Sequence, residues 1–293
     1  NKLDQPMQGT RSARELLRNQ EISGYLRDTN GRYWIGSGRA GFEPDATEHF
    51  YLPERYTDPF GNITTLKYDP RDLFVESISD AVGNQTRVEQ FDFRVLVPRA
   101  MKDINDNLSE VLFDALGLPI AMAIQGKGSE GDDLSGFTDE LANPTISDLE
   151  NFFTQNNFDE GQARTWLGNA TARHVYYFGE IRDENGSIRW AEHPACACGI
   201  LREQHVRPLD PPEPSPLQVR FEYSDGLGSV ILKKIQAEPE APGQLLRWVC
   251  SGKTIFNNKG KPVKQYEAYF SPPEVGHRFE EPREEGVTSV FYY

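Results

Sequence analysis

The sequence predicts a mainly β fold of antiparallel hairpins that carries one small helical insertion. Three observations predict it. The turn Asp-x-x-Gly recurs, and its clearest copies lead into runs that close on an aromatic residue and Asp. Asp58-Pro59-Phe60-Gly61 runs to Tyr68-Asp69, and Asp80-Ala81-Val82-Gly83 runs to Phe91-Asp92. Between turn and close, residues alternate with period 2, as in Ile63, Thr65, Lys67 against Thr64, Leu66, Tyr68; that pattern marks a strand with one buried face. The composition agrees: twelve Tyr and seventeen Phe against three Met favour β structure over helix packing.

Taken in chain order, Ser12 to Asn19 reads as a short helical turn, and residues 1–57 as a lead-in β segment. Trp34 to Arg39 and Phe50-Tyr51-Leu52-Pro53 read as strand pieces within it. Residues 58–128 are tandem repeats. The third unit, Asp103 to Phe113-Asp114, has Asp106 where the others have glycine, and Asp114-Ala115-Leu116-Gly117 starts again at once. Each unit needs neighbours to bury its apolar side, so a repeat sets the architecture before any single residue is interpreted.

The turn chemistry is local. Asp at the first position can accept backbone N–H bonds from residues further on. Gly61, Gly83 and Gly117 supply a conformation that a Cβ resists. Asn62, Asn84 and Asn107 follow the corner and tolerate left-handed φ, so Asp106-Asn107 can turn without glycine. Further copies are Asp28 to Gly31, Asp183 to Gly186, Asp225 to Gly228 and Asn257 to Gly260; the last two precede strands beginning near Val230 and Lys261.

The period changes over residues 129–172, the helical insertion. Thr145-Ile146-Ser147-Asp148 is a helix start with Thr145 as cap, and Leu149, Phe152 and Phe153 share one face. Glu160 to Ala172 is a second helix with Ala163, Trp166 and Leu167 inward. Residues 173–293 return to β segments joined by the Pro-rich connection Pro208–Pro216, and the end on Val290 to Tyr293 reads as a truncation.

Composition excludes several classes. A net charge of −14 argues against a nucleic-acid backbone as partner. No run of about 18 apolar residues is present to span a membrane. The polar start to Gly24 is not a signal peptide. Three cysteines (Cys196, Cys198, Cys250) are no disulfide framework, which points to folding in a reducing compartment.

The tandem Asp-x-x-Gly-Asn units closing on Tyr-Asp or Phe-Asp resemble YD repeats of the Rhs type. A second resemblance is more specific. Trp248 to Glu267, with Phe256-Asn257-Asn258-Lys259-Gly260-Lys261-Pro262-Val263 at its centre, and Tyr223 to Gly228 with Lys233 to Glu238, resemble the middle-to-C-terminal part of the B component of bacterial insecticidal toxin complexes (Tc toxins, SpvB/TcdB-like). The resemblance covers roughly Gly24 to Tyr293. It implies a curved, shell-like sheet that encapsulates the cytotoxic region of an Rhs-repeat C component for delivery into host cells. It also implies an A-component pore, met through other parts of the B component, and a secreted or extracellular location as part of a toxin complex. On this reading the chain is a wall segment and not an enzyme, and needs no cofactor. The turn residues Asp58, Gly61, Asp80, Gly83, Asp103, Asp114, Gly117, Asp225, Gly228 and Gly260 and the aromatics Tyr68, Phe91, Phe113 and Tyr266 are then structural.

Other chemistries fit the residues less well. His193, Cys196, Cys198 and His205 are the right ligand types for zinc, but their spacing is not a standard finger, and Cys-x-Cys on a strand turns both thiols to one face. Small buried cysteines in a β wall are the simpler reading. A Cys-His hydrolase would pair Cys196 or Cys198 with His174 or His205. Gly126-Lys127-Gly128-Ser129 fails as a phosphate loop because Met122 stands where glycine is required. Glu130, Asp132 and Asp133, and Asp28 with Asn30, lack the spacing of a calcium loop and read as solvated acidic loops. The alternative to a wall segment is an Rhs-like surface module that binds glycan or protein on its aromatic face.

Overall fold

The computed structural model describes residues 13–19, 23–126, 130–190, 193–207 and 214–292. Two compact units divide the chain, Asn1–Leu108 and Ser109–Tyr293.

The first unit opens with α1 (Ala13–Arg18) and a hairpin of β1 (Tyr25–Arg27) and β2 (Tyr33–Ile35). Its sheet then runs in chain order through β3 (Arg39–Gly41), β4 (Arg55–Thr57), β5 (Ile63–Tyr68), β6 (Val75–Ser79), β7 (Gln85–Asp92) and β8 (Val97–Lys102), each antiparallel to the next. Phe50-Tyr51, expected on a strand, sits instead in a turn with φ of 54° and 55°.

One turn design joins β1 to β2, β4 to β5 and β6 to β7. Asp80 N–H donates to Asn84 O at 3.0 Å, and Gly83 N–H donates back to Asp80 O at 3.1 Å. The Asp80 carboxylate accepts from Val82 N–H at 3.0 Å and Asn84 N–H at 2.9 Å. This is a three-residue hairpin loop whose last corner needs positive φ. Gly83 takes it at φ 90°, and Asp106 takes the equivalent position at φ 63°. The asparagines have a different role from the one expected. Asn62, Asn84 and Asn107 are not the left-handed residues; their side-chain amides donate to the second oxygen of Asp58, Asp80 and Asp103 at 2.7, 2.8 and 2.9 Å. The same paired backbone bonds are made by Asp28, Asp58 and Asp103, and in the second unit by Asp114, Asp183, Asp225 and, through its amide oxygen, Asn257.

This first sheet has little interior. Among its described residues, the buried apolar side chains are Ala46 and Ala100. Phe74 and Phe91 stack with ring centroids 3.8 Å apart, and Phe93 meets Phe91 edge-on at 5.0 Å. Tyr68 anchors by its hydroxyl to Pro53 O at 3.0 Å.

The second unit is different. Its sheet has the order β20–β17–β16–β15–β14–β11–β10–β9. These are β9 (Leu108–Phe113), β10 (Pro119–Gln125), β11 (Ala172–Tyr177), β14 (Ala195–Arg202), β15 (Leu217–Ser224), β16 (Val230–Ala237), β17 (Arg247–Cys250) and β20 (Tyr269–Phe270). A small hairpin, β12 (Ile181–Arg182) and β13 (Ile188–Arg189), lies between β11 and β14. A separate sheet contains β18 (Thr254–Phe256), β19 (Pro262–Gln265) and β21 (Ser289–Val290). The fold is mainly β, antiparallel and not closed into a barrel.

Between β10 and β11 the chain forms α2 (Asp139–Ala142), α3 (Ile146–Thr154) and α4 (Glu160–Leu167). Thr145 and Asp148 form a reciprocal capping box, so α3 starts where its sequence directs. Asp159 caps α4 through Gln162 N–H at 2.9 Å. The second helix stops at Leu167, and Ala172 is already the first residue of β11. Residues 208–213 of the Pro-rich connection and 127–129 of the Gly-Lys-Gly-Ser loop lie outside the described residues.

Candidate functional site: a sheet with one covered face

Alternation in the second sheet sorts side chains to two faces. Val175, Cys198, Phe221 and Lys234 follow one another across β11, β14, β15 and β16 in register and are all buried. The helices cover this face. Phe153 stacks on Tyr177 at 5.3 Å, Phe152 meets Trp166 at 4.7 Å, and Phe158 lies edge-on to Trp248 at 5.4 Å. Full burial of a side chain such as Phe152 contributes about 1.5–3 kcal/mol relative to exposure. The opposite face carries Met122, Ile124, Arg220, Lys233 and Ile235, all exposed.

Three buried polar clusters tie neighbouring segments to the sheet. Lys234 is fully buried, and its Nζ donates to Ser271 Oγ, Gly276 O and Glu280 Oε1, each at 2.9 Å. Ser271 also donates to Glu280 at 2.7 Å. Desolvation pushes the Glu280 carboxyl up, but the Lys234 and Ser271 hydrogen bonds outweigh it and leave it below the usual range. Arg173, 1% exposed, reaches the carbonyls of Ile120, Leu141 and Ala142 at 3.0, 2.8 and 3.2 Å. It thereby satisfies the C-terminal end of α2. With three carbonyls around it and no carboxylate within ion-pair distance among the described residues, burial lowers its pKa to about 10.

The third cluster corrects an expectation. Asp132 is not a solvated loop residue: it is 0% exposed. Its carboxylate accepts from Val206 N–H at 2.7 Å and Thr171 Oγ1 at 2.6 Å, and lies 2.9 Å from His205 Nδ1. Asp133 is also engaged, with Arg207 at 2.9 Å and Ser135 Oγ at 2.5 Å. Glu130 is exposed. Asp28 is bound within its own turn and by Trp34 Nε1 at 2.9 Å, which lowers its pKa.

The structure separates the other candidates. Cys196 and Cys198 are buried on the covered face, and burial raises both thiol pKa values well above normal. His174 pairs in register with Gly199, so it stands on the opposite face of the sheet from both thiols. His205 bonds Asp132, and His193 is exposed. Among the described residues no three metal-ligating side chains converge. Phe113 is half-buried, and Tyr266 donates its hydroxyl to Glu284 at 3.2 Å.

Lys234 and Arg173 were missed in the sequence, although a signal existed. Lys234 shares the buried phase of β16 with Leu232, and Arg173 shares that of β11 with Val175 and Tyr177.

An antiparallel sheet of Asp-x-x-Gly hairpins, covered on one face by a helical insertion in the second unit, is a fold already seen in solved structures. Solved structures of TcdB2–TccC3 share it. One crystal structure of TcdB2–TccC3 matches at 21% identity and TM-score 0.57, over 84% of this chain and 12% of that chain. The crystal structure of TcdB2–TccC3–TEV matches at 17% identity and TM-score 0.61, over 84% of this chain and 14% of that one. The Tc holotoxin pore of Photorhabdus luminescens, with a TccC3 mutation, matches at 18% identity and TM-score 0.61, over 88% and 14%. The chain thus spans 12–14% of the length of these chains, and at such identities the likeness is one of fold. No protein-family model and no curated protein sequence matches the chain.

Proposed function

We propose that this chain is a wall segment of a toxin-complex B-component shell. The shell, completed by an Rhs-repeat C component, encloses a cytotoxic cargo until delivery into a host cell. The observation that carries this reading is the fold likeness to TcdB2–TccC3 over 84% of the chain. The nearly coreless hairpins of the first unit support it, because a single layer with an unpaired edge strand, β3, suits a wall and not an isolated globule. The A-component pore is engaged through other parts of the B component, and the assembled complex acts outside the bacterium.

The role is structural and not catalytic. Burial raises both thiol pKa values of the Cys-x-Cys pair well above normal, and the hydrogen-bonding neighbour of Cys196 is the Tyr223 hydroxyl.

Protease protection tests the reading. The full-length protein carrying this chain is co-expressed with the neighbouring Rhs-type protein, purified as a complex and treated with a nonspecific protease. A C-terminal cargo that survives until the complex is denatured supports encapsulation. A partner digested at once, or no complex, removes the wall reading.

A further inference from the structure

A cavity of about 950 Å³ opens where the end of α3, the β16–β17 connection and the segment after β20 meet. This volume is at the upper end for small-molecule sites. Its walls are rich in rings: Phe158, Trp248, Phe270 and His277. Trp248 and His277 are nearly or fully buried, while Phe270 is 51% exposed and stands at the open side. The site is therefore partly dry and partly open.

One cation is available there. Arg247 stacks over the Phe270 ring at 4.5 Å and donates from Nε to Glu238 O at 2.9 Å. Its Nη atoms have no further hydrogen bond among the described residues. The other guanidinium, Arg283, already faces Glu280 and Glu285 at 3.6 and 3.5 Å. Of the two carboxylates, Glu160 is held by Arg164 at 2.6 Å, and Glu240 is exposed. At the floor, His277 Nε2 lies 3.1 Å from Phe152 O, a carbonyl that can only accept. That fixes the ring proton on Nε2 and leaves Nδ1 as a bare acceptor, and Nδ1 has no partner.

We propose that this cavity binds an aromatic carboxylate, its ring against Trp248 and Phe158 and its acid on the Nη edge of Arg247. The guanidinium fork suits a carboxylate, and stacking on Phe270 pre-orders it. The site is independent of the wall reading: a shell segment with no such ligand and a ligand site on a protein that forms no shell give different results below.

The test uses the full chain in calorimetric titration with indole-3-propionate, with its neutral amide, and with a tripeptide ending in tryptophan. Saturable binding of the acid is expected, with the amide weaker by about tenfold or more, since a charge-assisted pair is lost. Arg247→Ala is expected to remove the same factor and to abolish the preference for acid over amide. Phe270→Ala weakens both ligands, and unchanged thermal unfolding of these variants shows that the fold is kept. Tighter binding of the tripeptide identifies a chain end as the source of the ligand, and tighter binding of the small acid a free metabolite. No saturable binding, equal affinity for acid and amide, or an Arg247→Ala variant that binds as wild type overturns the proposal.

Discussion

Lys234 and Glu280, 46 residues apart in sequence, form an ion pair of 2.9 Å on the covered face of the second sheet, with the lysine wholly removed from solvent. The pair ties the segment after β20 to the middle of the sheet. Its acceptors are complete: three oxygens surround the three protons of the ammonium.

Removing Glu280 leaves the Lys234 ammonium buried without a counter-charge, and removing Lys234 leaves Glu280 with the more distant Arg283 at 3.6 Å as its cation. Glu280→Gln or Lys234→Met is expected to destabilise the second unit by about 3–5 kcal/mol, measured by urea unfolding. Replacing both by apolar residues of similar volume is expected to recover most of that loss. Single variants within about 1 kcal/mol of wild type would contradict the tie, being closer to a surface pair.

Acid acts through His277. Burial is the main cause that lowers its pKa from 6.5 to about 4; Lys234 and Arg278 lower it further, while the Phe152 carbonyl opposes them. The folded state thus resists the proton that the unfolded chain accepts. Stability from this group is complete above about pH 6.5 and declines as pH falls toward 4. The difference amounts to on the order of 3 kcal/mol. Denaturant midpoints at pH 8, 6 and 4.5 should fall in that order, and the slope should flatten in a folded His277→Phe variant. A slope identical in wild type and variant would assign the acid sensitivity elsewhere.

The turns predict opposite signs at equivalent positions. Asp106 holds φ 63° without being glycine, so Asp106→Gly should be neutral or stabilising by up to about 1 kcal/mol. Gly83 holds φ 90°, so Gly83→Ala should cost about 1 kcal/mol or more. Hydrogen exchange of the turn amides reads both; Gly83→Ala without faster exchange at Val82 and Asn84 would be inconsistent with the loop geometry.

Thiol labelling checks the cysteines. All three are buried, and burial raises the Cys250 pKa to about 11. In native protein at pH 8, an aromatic disulfide reagent should titrate none of them, and three should appear in denaturant. Rapid labelling of Cys196 or Cys198 in the native state would restore a reactive role for that pair.

What the sequence made legible was local. The Asp-x-x-Gly turns could be read because their carboxylate bonds close within five residues, and the start of α3 because Thr145 and Asp148 satisfy each other. The wrong strand at Phe50-Tyr51 shows the limit: two aromatics suggest a strand, yet the backbone there turns with positive φ. The buried Asp132 depends on Val206 and His205, more than seventy residues away, so its acidic neighbours suggested a solvated loop. Lys234 and Arg173 were visible as charges on the buried phase of a strand. Their partners were not, because those come from segments that only folding brings near.

The self-contained turn has a further consequence for growth of the sheet. Asp80 needs nothing beyond Asn84 to complete its loop, so a hairpin can be duplicated or deleted without altering the chemistry of its neighbours. Each added pair of strands would widen the sheet by roughly 10 Å. Gene duplication of one repeat is thereby enough to widen the sheet in fixed steps.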